Sequence, residues 1–469
     1  MALPPQTGRE TPSCKPPRMT TTLPTSTADA TTPAGPVRRA GRWIDHWDPE
    51  DAGFWAAGGQ AVARRNLGWS VLAEFLGFCV WALWSVVVPQ LNGVGFALTL
   101  DQQFWLIAVP SLVGAFLRVP YTFMVPLVGG RNWTIISALL LLLPTLSLAW
   151  VVGRPETPFA LLLGIAALAG FGGGNFASSM TNISFFFPEA EKGKALGLNA
   201  AGGNLGTGIV QLVVPAVIAI GAGIHLERAG LLFVPLVLLA ALGAWRGMDN
   251  LSTARSDHRS WAKAATHPHT WIISFLYIGT FGSFIGYSAA FPTLLTSQFP
   301  EVTTSIAFVG AVLGAASRPL GGTIADRLGG ARVTIAAFVV MGLAAGLAIL
   351  ALSAHSFALF LLAFLVLFTG AGIGNGATYR MIPAVFRAGV RDGEELAIAR
   401  RSAAGCIGIA GAVGAVGGFL VPRGFAMSTT SFGSLVPAIG VFIAAYVLMA
   451  ALTWAVYVRR GSRLADEGI

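Results

Sequence analysis

The chain has 469 residues, of which 54% are apolar and only 11% are charged, and its formal net charge is +9. Soluble domains carry about a quarter charged residues, so this composition excludes a soluble enzyme or a disordered regulator for everything except the termini. About 20 apolar residues cross a bilayer, and the hydrophobic blocks of this chain leave room for twelve crossings. We therefore expect an all-α integral membrane protein.

The first predicted element is an N-terminal arm, residues 1–66. Residues 1–40 are rich in Thr, Pro and Ala, hold no apolar run that could form a signal-peptide core, and are expected to be disordered. Residues 41–66 mix Trp, Arg and acidic residues, which is typical of an interfacial segment leading into a first span. Apolar blocks that predict twelve spans follow at residues 67–90, 103–128, 132–153, 158–187, 195–222, 228–247, 269–296, 303–326, 332–354, 356–386, 395–421 and 432–458.

A polar segment, residues 248–268, separates the spans into two groups of six, residues 67–247 and 269–458, and residues 459–469 form a tail. Most of the 30 basic residues lie in loops and tails on the side of both termini. The exceptions are Arg154, Arg228 and Arg423 in loops on the opposite side, and Arg118, Arg318 and Arg380 inside spans. This bias predicts that both termini, the arm and the linker are cytoplasmic. Because topology explains the basic charge, nucleic acid is not expected as a partner.

The two groups of spans repeat at an offset of 200 residues. Arg118 and Arg318 are related by this offset, as are Asn175 and Asn375. The Gly-Gly pairs at 129–130 and 329–330 share it too. Several unusual residues with one offset predict two pseudo-symmetric six-helix halves, the architecture of the major facilitator superfamily.

Arg118 and Arg318 are the residues most suggestive of chemistry. Each lies about 15 residues from the outer end of its helix, hence about 22 Å deep at the helical rise. An Arg at mid-bilayer costs at least about 2.5–3.5 kcal/mol, so it needs a partner. One interpretation is a structural Arg bonded to carbonyls or directed to the inner mouth. The other is a facing pair whose two planar forks bind a small planar oxyanion.

Two glycine-rich segments occupy spans 4 and 10 and read GIAALAGFGGGNFASSMTNISFFFP and GAGIGNGATYRMIPAVF. Small residues let membrane helices approach closely, so packing is the simpler interpretation of these glycines. Asn175 and Asn375 lie level with the arginines and either bond a neighbouring helix or orient the substrate. Tyr277 and Phe281 are four residues apart on one face of span 7, and Phe176 is at a similar depth. Such rings either pack or exclude water from a bound anion.

The segments GGGNFASSMTNISFFFP and GAGIGNGATYRMIP resemble the paired nitrate-signature segments of the nitrate/nitrite porters in the major facilitator superfamily. The stretches LRVPYTFMVPLVGGRNW and LYIGTFGSFIGYSAAFP look like spans 2 and 7 of that family. The resemblance covers residues 65–458 and implies that the protein transports nitrate and nitrite.

The same resemblance implies roles for single residues. Arg118 and Arg318 would bind the anion, Phe176 and Phe281 would flank its plane, and Tyr277 would donate a hydrogen bond nearby. Asn204 in GGNLG would contribute an amide, although the matching stretch of the second half, SAAGCIGIAG, has no Asn. The signature glycines would act as hinges and gates, and they include Gly173, Gly174, Gly372 and Gly374.

Glu74 bears on how uptake is driven. Nitrate entry against an inside-negative potential is uphill by about 2.3 kcal/mol per 100 mV, so uptake needs exchange for nitrite or symport with protons. Glu74 is the only carboxylate well inside a predicted span. It is either an interfacial carboxylate that reaches the inner mouth or pairs with an inner-loop Arg, or a proton-coupling group.

No cofactor or metal is expected. The cysteines at 14, 79 and 406 lie far apart and form no metal-ligand spacing, and the chain has no nucleophile elbow or phosphate loop. An enzyme is therefore not expected. The alternatives to nitrate transport are a carrier of another small anion or organic acid, and a membrane sensor or scaffold without transport. We expect a monomer in the cell inner or plasma membrane.

Overall fold

The computed structural model describes residues 1–2, 35–255, 258–390, 393–459 and 469. Residues 3–34 of the predicted arm and residues 460–468 of the predicted tail lie outside the described residues. Within them the chain forms twelve helical spans, most continuous and several built from abutting helices. Their bounds are Ala52–Val94, Leu100–Val128, Gly130–Val151, Phe159–Phe186, Glu189–Ile218, Glu227–Gly247, Pro268–Gln298, Ala307–Leu328, Gly330–Ser353, Phe357–Arg387, Gly393–Phe432 and Val436–Val458, numbered spans 1 to 12 below.

The twelve-span prediction is confirmed, and eleven of these helices are long and apolar enough by composition to cross a membrane. Span 8, Ala307–Leu328, is the exception because it carries Arg318, Asp326 and Arg327 together with several glycines. The first six spans form the first half of the molecule and the last six form the second half.

The arm and the linker are more ordered than the sequence predicts. Short strands β1 (Arg38–Arg39) and β2 (Trp43–Ile44) pair antiparallel, and β2 pairs in parallel with β3 (Asn250–Leu251) from the linker. A helix also forms at His258–Thr266. The expectation of disorder is therefore wrong for residues 35–40, and residues 248–268 are not a simple loop.

A buried carboxylate explains this order. The Asp249 side chain is fully buried and forms ion pairs with Arg38 (2.7 Å), Arg42 (2.8 Å) and Arg65 (2.5 Å). Its backbone N–H donates to Asn66 Oδ1 at 2.8 Å. Burial alone would raise the pKa of Asp249, but hydrogen bonds and charges from Arg38 and Arg65 lower it overall. The arm is thus attached to the end of span 6.

The backbone supports the internal repeat. Gly129 ends span 2 with φ 94° and Gly329 ends span 8 with φ 87°, both in the left-handed region that favours glycine. A Cβ on Gly129 would also lie 2.4 Å from Asn250 Oδ1, so the turn depends on glycine for space as well.

The two halves meet at both ends of the bundle. At the end opposite the linker, called the far end below, Gln211 Nε2 donates to the Ser288 carbonyl at 2.6 Å. Arg423 Nη1 pairs there with Asp101 at 2.8 Å. At the linker end, the contact runs through the linker helix His258–Thr266: its Trp261 ring lies 5.2 Å from that of Phe123 in span 2, and a Cβ on Gly408 of span 11 would lie 2.4 Å from Trp261 Cζ2.

Candidate anion-binding site

Arg118 projects from span 2 into the contact between the halves and is only 1% exposed. Its Nε donates to the Gly173 carbonyl of span 4 at 3.2 Å, and its Nη1 donates to the Gly411 carbonyl of span 11 at 2.7 Å. Its Nη2 is buried without a hydrogen-bond partner. The carbonyl-bonded interpretation of this Arg is therefore partly correct, yet it leaves one nitrogen unused.

Arg318 projects from span 8 of the other half and is 7% exposed. Its Nη2 donates to the Tyr277 hydroxyl at 3.3 Å, while its Nη1 is buried without a partner. Within the described part of the chain, neither this Arg nor Arg118 forms an ion pair with a carboxylate. Each half thus supplies one guanidinium group with an unsatisfied N–H-bearing nitrogen.

Two phenylalanines, one from each half, lie against these cations. The Phe176 ring is 4.6 Å from Arg118 Cζ and 5.9 Å from Arg318 Cζ, measured to the ring centroid. The Phe281 ring is 4.9 Å from Arg118 Cζ. The two rings stack at 6.3 Å between centroids with an interplanar angle of 28°. Phe176 therefore contacts both arginines, and the facing rings make the surroundings apolar.

This arrangement suits a small flat anion. Two buried cations that form no ion pair within the described residues are costly, and an anion that accepts from both free nitrogens would relieve that cost. Charge-assisted hydrogen bonds strengthen when water is excluded, and the two aromatic rings exclude water from this region.

Tyrosines line the second-half side of the site. The Tyr277 ring stacks on Phe281 at 5.2 Å with an interplanar angle of 17°. Tyr379 of span 10 was missed by the sequence reasoning. Its ring lies 5.4 Å from Arg318 Cζ, and its hydroxyl is buried without a partner. Its position four residues after Asn375, one helical turn, is the signal that could have found it.

The three asparagines are buried but make no hydrogen bond to either arginine within the described residues. Asn175 lies against span 1, because a Cβ on Gly77 would be 3.0 Å from Asn175 Nδ2. Both side-chain polar atoms of Asn175 and of Asn204 lack partners, as does Oδ1 of Asn375. Their predicted contact with substrate stays a prediction.

The signature glycines allow close helix packing. A Cβ on Gly173 would lie 2.7 Å from Trp81 Cε2, and one on Gly372 would lie 2.1 Å from the Gly314 carbonyl oxygen. Comparable close approaches occur at the neighbouring signature positions, Gly174 and Gly374. These contacts support the packing interpretation, and the hinge role remains a prediction.

The position of Glu74 does not fit the interpretation of an interfacial carboxylate. It is fully buried, so it is not an interfacial carboxylate, and within the described chain it pairs with no loop Arg. Its Oε2 accepts from Asn199 Nδ2 at 2.6 Å, and the same Nδ2 donates to Ser179 Oγ at 2.6 Å. Its Oε1 has no partner. Spans 1, 4 and 5 of the first half therefore enclose a small polar cluster around this carboxylate.

Arg380 lies outside the site. It is exposed and pairs with Asp326, also exposed, near the linker end of spans 8 and 10. Although Arg380 falls inside a predicted span, its side chain is exposed.

Comparison with known proteins places the chain in a family. The model described as "Major Facilitator Superfamily" matches residues 70–422. The chain is 43% identical over 445 residues to "Nitrate/nitrite transporter NarU" of Salmonella typhimurium, covering 89% of this chain and 96% of the relative. It is 35% identical to "Probable nitrate/nitrite antiporter NarK2" of Thermus thermophilus, covering 90% and 98%.

Solved structures show the same fold at low identity. A D-xylose-proton symporter superposes with a TM-score of 0.65 and 15% identity, covering 87% of this chain and 99% of that one. A bacterial homologue of the lysosomal transporter Spinster superposes with a TM-score of 0.62 and 17% identity, covering 87% and 98%. The family resemblance read from the sequence is thereby confirmed, and the chain belongs to the nitrate/nitrite porter family of the major facilitator superfamily.

Proposed function

We propose that this chain carries nitrate and nitrite across a membrane by alternating access, leaving the anion chemically unchanged. The names of its relatives support these substrates. The observation that carries the proposal is the pair of unpartnered nitrogens, Arg118 Nη2 and Arg318 Nη1, donated by opposite halves and both lying near Phe176.

The geometry supports binding of a planar anion between the halves. A planar anion between the halves would accept from one nitrogen of each arginine, with Phe176 and Phe281 covering its faces. Tyr277 already contacts Arg318, so its hydroxyl is close enough to hold that guanidinium in place. Because both arginines come from one chain, the proposed site is complete in a monomer.

The same charges favour exchange. When the site is empty, two buried cations lie near each other with no carboxylate paired to either, and their repulsion opposes reorientation of the halves. An anion bound on each stroke removes the repulsion, so nitrate inward and nitrite outward is the natural cycle. This cycle moves no net charge.

Proton symport is the second route, and the burial of Glu74 supports keeping it. A carboxylate enclosed with Asn199 and with one free oxygen can accept a proton on that oxygen without losing its hydrogen bond. Glu74 is therefore our proton-coupling residue if a pH gradient drives uptake.

We further propose that the protein resides in the cell inner or plasma membrane with the linker end cytoplasmic. Arg38, Arg39 and Arg42 of the described part of the arm lie at that end beside the linker strand β3, which agrees with the orientation that the distribution of Lys and Arg predicts.

Exchange in proteoliposomes tests the proposal. Vesicles loaded with nitrite should take up labelled nitrate, and Arg118→Ala or Arg318→Ala should lower the rate about 100-fold, since truncating one partner of a buried charge contact costs 2–5 kcal/mol. Arg380→Ala, which removes an exposed Arg of span 10, is the matched control and should retain transport. Unchanged exchange in either site variant would refute the site. Stronger competition by a bulky carboxylate than by nitrite would instead favour a carrier of organic anions.

A further inference from the structure

A groove of about 540 Å³ runs along the outer surface of the second half, between spans 8, 9 and 10. Its walls are apolar and include Leu328, Val340 and Ile373, and Val333 forms part of its floor. Leu328 is 57% exposed and Val340 is 42% exposed, whereas Val333 is 6% exposed. The groove is therefore open to the hydrocarbon of the membrane along its length and closed beneath.

One charged side chain lines this groove. Arg332 lies in the first turn of span 9 at the linker end, and Val340 lies eight residues further along the same helix. At the helical rise, these residues are about 12 Å apart along the axis. The groove thus joins a cation at the membrane surface to an apolar channel that points into the bilayer.

Arg332 is available for an anion. Within the described chain it forms no ion pair or hydrogen bond, and the nearby carboxylate of Asp326 is already paired with Arg380. The groove's one hydroxyl, Thr369 Oγ1, is satisfied by the Leu365 carbonyl at 2.8 Å. The lining therefore suits a ligand that has one negatively charged group and a hydrocarbon chain.

The first half lacks this combination. At the offset of 200 residues, Asn132 stands in place of Arg332 and Trp133 in place of Val333. Asn132 Nδ2 donates to the Val128 carbonyl at 3.0 Å, and the Trp133 ring packs edge-on against Tyr121 at 4.9 Å between centroids. The pseudo-symmetric position thus carries a hydrogen-bonded amide in place of the cation, and a large ring where the second half has a small side chain.

We propose that this groove binds a phospholipid with a net negative headgroup, one acyl chain lying along Val333 and Val340 and the phosphate contacting Arg332. Arginine is well suited to phosphate, and each basic residue at a membrane surface strengthens attraction to anionic lipid. A lipid held here bridges spans 8 and 10, which carry Arg318 and Tyr379 of the anion site.

Lipid retention by the purified full chain tests this proposal without using transport. The protein in detergent is titrated with phosphatidylglycerol or phosphatidylcholine, and bound lipids are counted by native mass spectrometry. We expect phosphatidylglycerol to bind about fivefold more tightly than phosphatidylcholine, and Arg332→Gln to remove that preference. Val333→Trp, which places the bulk of Trp133 in the second half, should lower binding of both lipids at this site.

Matched controls separate the groove from general effects. Arg246→Gln removes an exposed Arg at the linker end of the first half and should leave the preference intact. Val339→Trp adds a ring to the exposed face of span 9 outside the groove lining and should not reduce binding. Equal retention of the two phospholipids by the wild type overturns the proposal, as does an unchanged preference in Arg332→Gln. So does palmitate displacing phosphatidylglycerol at equal concentration, since a free fatty acid would then be the occupant.

Discussion

Arg118 donates from Nη1 to the carbonyl oxygen of Gly411 at 2.7 Å, and this hydrogen bond joins the two halves of the chain. The Nη2 of the same guanidinium is buried without a hydrogen-bond partner, and it is the nitrogen that we propose contacts the anion. Alternating access requires the halves to separate at one end at a time, so this bond must break or shift during the cycle. A single side chain thus connects the occupancy of the site with the contact between the halves.

Arg118→Lys tests whether the planar fork is needed. An ammonium group carries the same charge but cannot reach Gly173, Gly411 and an anion in the directions that a guanidinium offers. We expect nitrate/nitrite exchange in proteoliposomes to fall about tenfold, with a higher KM for nitrate. Arg380→Lys is the conservative control at an exposed ion pair. Wild-type exchange in Arg118→Lys would mean that charge alone suffices.

Phe176→Leu tests the ring that contacts both arginines. Leucine keeps the site apolar but removes the π face, and a desolvated cation–π contact is worth about 1–2 kcal/mol. We expect the KM for nitrate to rise about 5- to 30-fold. Phe360→Leu removes a buried ring near the far end of span 10 and should leave the KM unchanged. An equal effect of the two substitutions would show that Phe176 contributes only packing.

The core of the site could be predicted from the sequence because its residues are conspicuous there. A charged residue deep in a span is rare, and the shared offset of Arg118 and Arg318 identifies them as counterparts in two halves. The helical spacing of Tyr277 and Phe281 places them on one face, and the structure stacks their rings. The free-energy cost of a charge inside a span and the periodicity of a helix can both be recognised in the sequence alone.

The remaining features depend on contacts between distant segments. Glu74 reads as an interfacial acid by its distance from the helix end, yet spans 4 and 5 enclose it through Ser179 and Asn199. The folded arm depends on Asp249, whose partner Arg38 lies 211 residues away in sequence. Tyr379 gains its place beside Arg318 only when spans 8 and 10 pack together. Pairings of this kind leave no periodic signal in the chain.

Glu74→Gln tests the proton route. Glutamine keeps the shape of the side chain and an oxygen that accepts from Asn199. Its amide does not take up a proton at the pH values of a transport assay. We expect nitrate uptake driven by a pH gradient to disappear, while exchange against internal nitrite at equal pH stays within about twofold of wild type. Asp326→Asn, which changes an exposed carboxylate, is the control and should retain the response to the gradient. A full response in Glu74→Gln would remove this residue from the proton path.

Asp249→Asn tests the attachment of the arm. The substitution leaves Arg38, Arg42 and Arg65 without their shared carboxylate, and breaking a buried ion pair costs about 3–5 kcal/mol, less here because the arginines are part-exposed. We expect a lower Tm for the detergent-solubilised protein at pH 7. Asp45→Asn is the control, because its carboxylate is exposed and pairs with an exposed Arg39.

The pH dependence of this difference follows from the lowered pKa of Asp249. A carboxyl whose pKa is lower in the folded state stabilises the protein above its unfolded pKa, about 3.9, and loses that contribution as the pH falls through the folded value. Acidification below about pH 4 therefore costs the wild type more stability than it costs Asp249→Asn. The Tm gap between the two proteins should narrow over that range in thermal unfolding scans. A gap that stays constant would show that the arginines act on the arm through contacts other than this carboxylate.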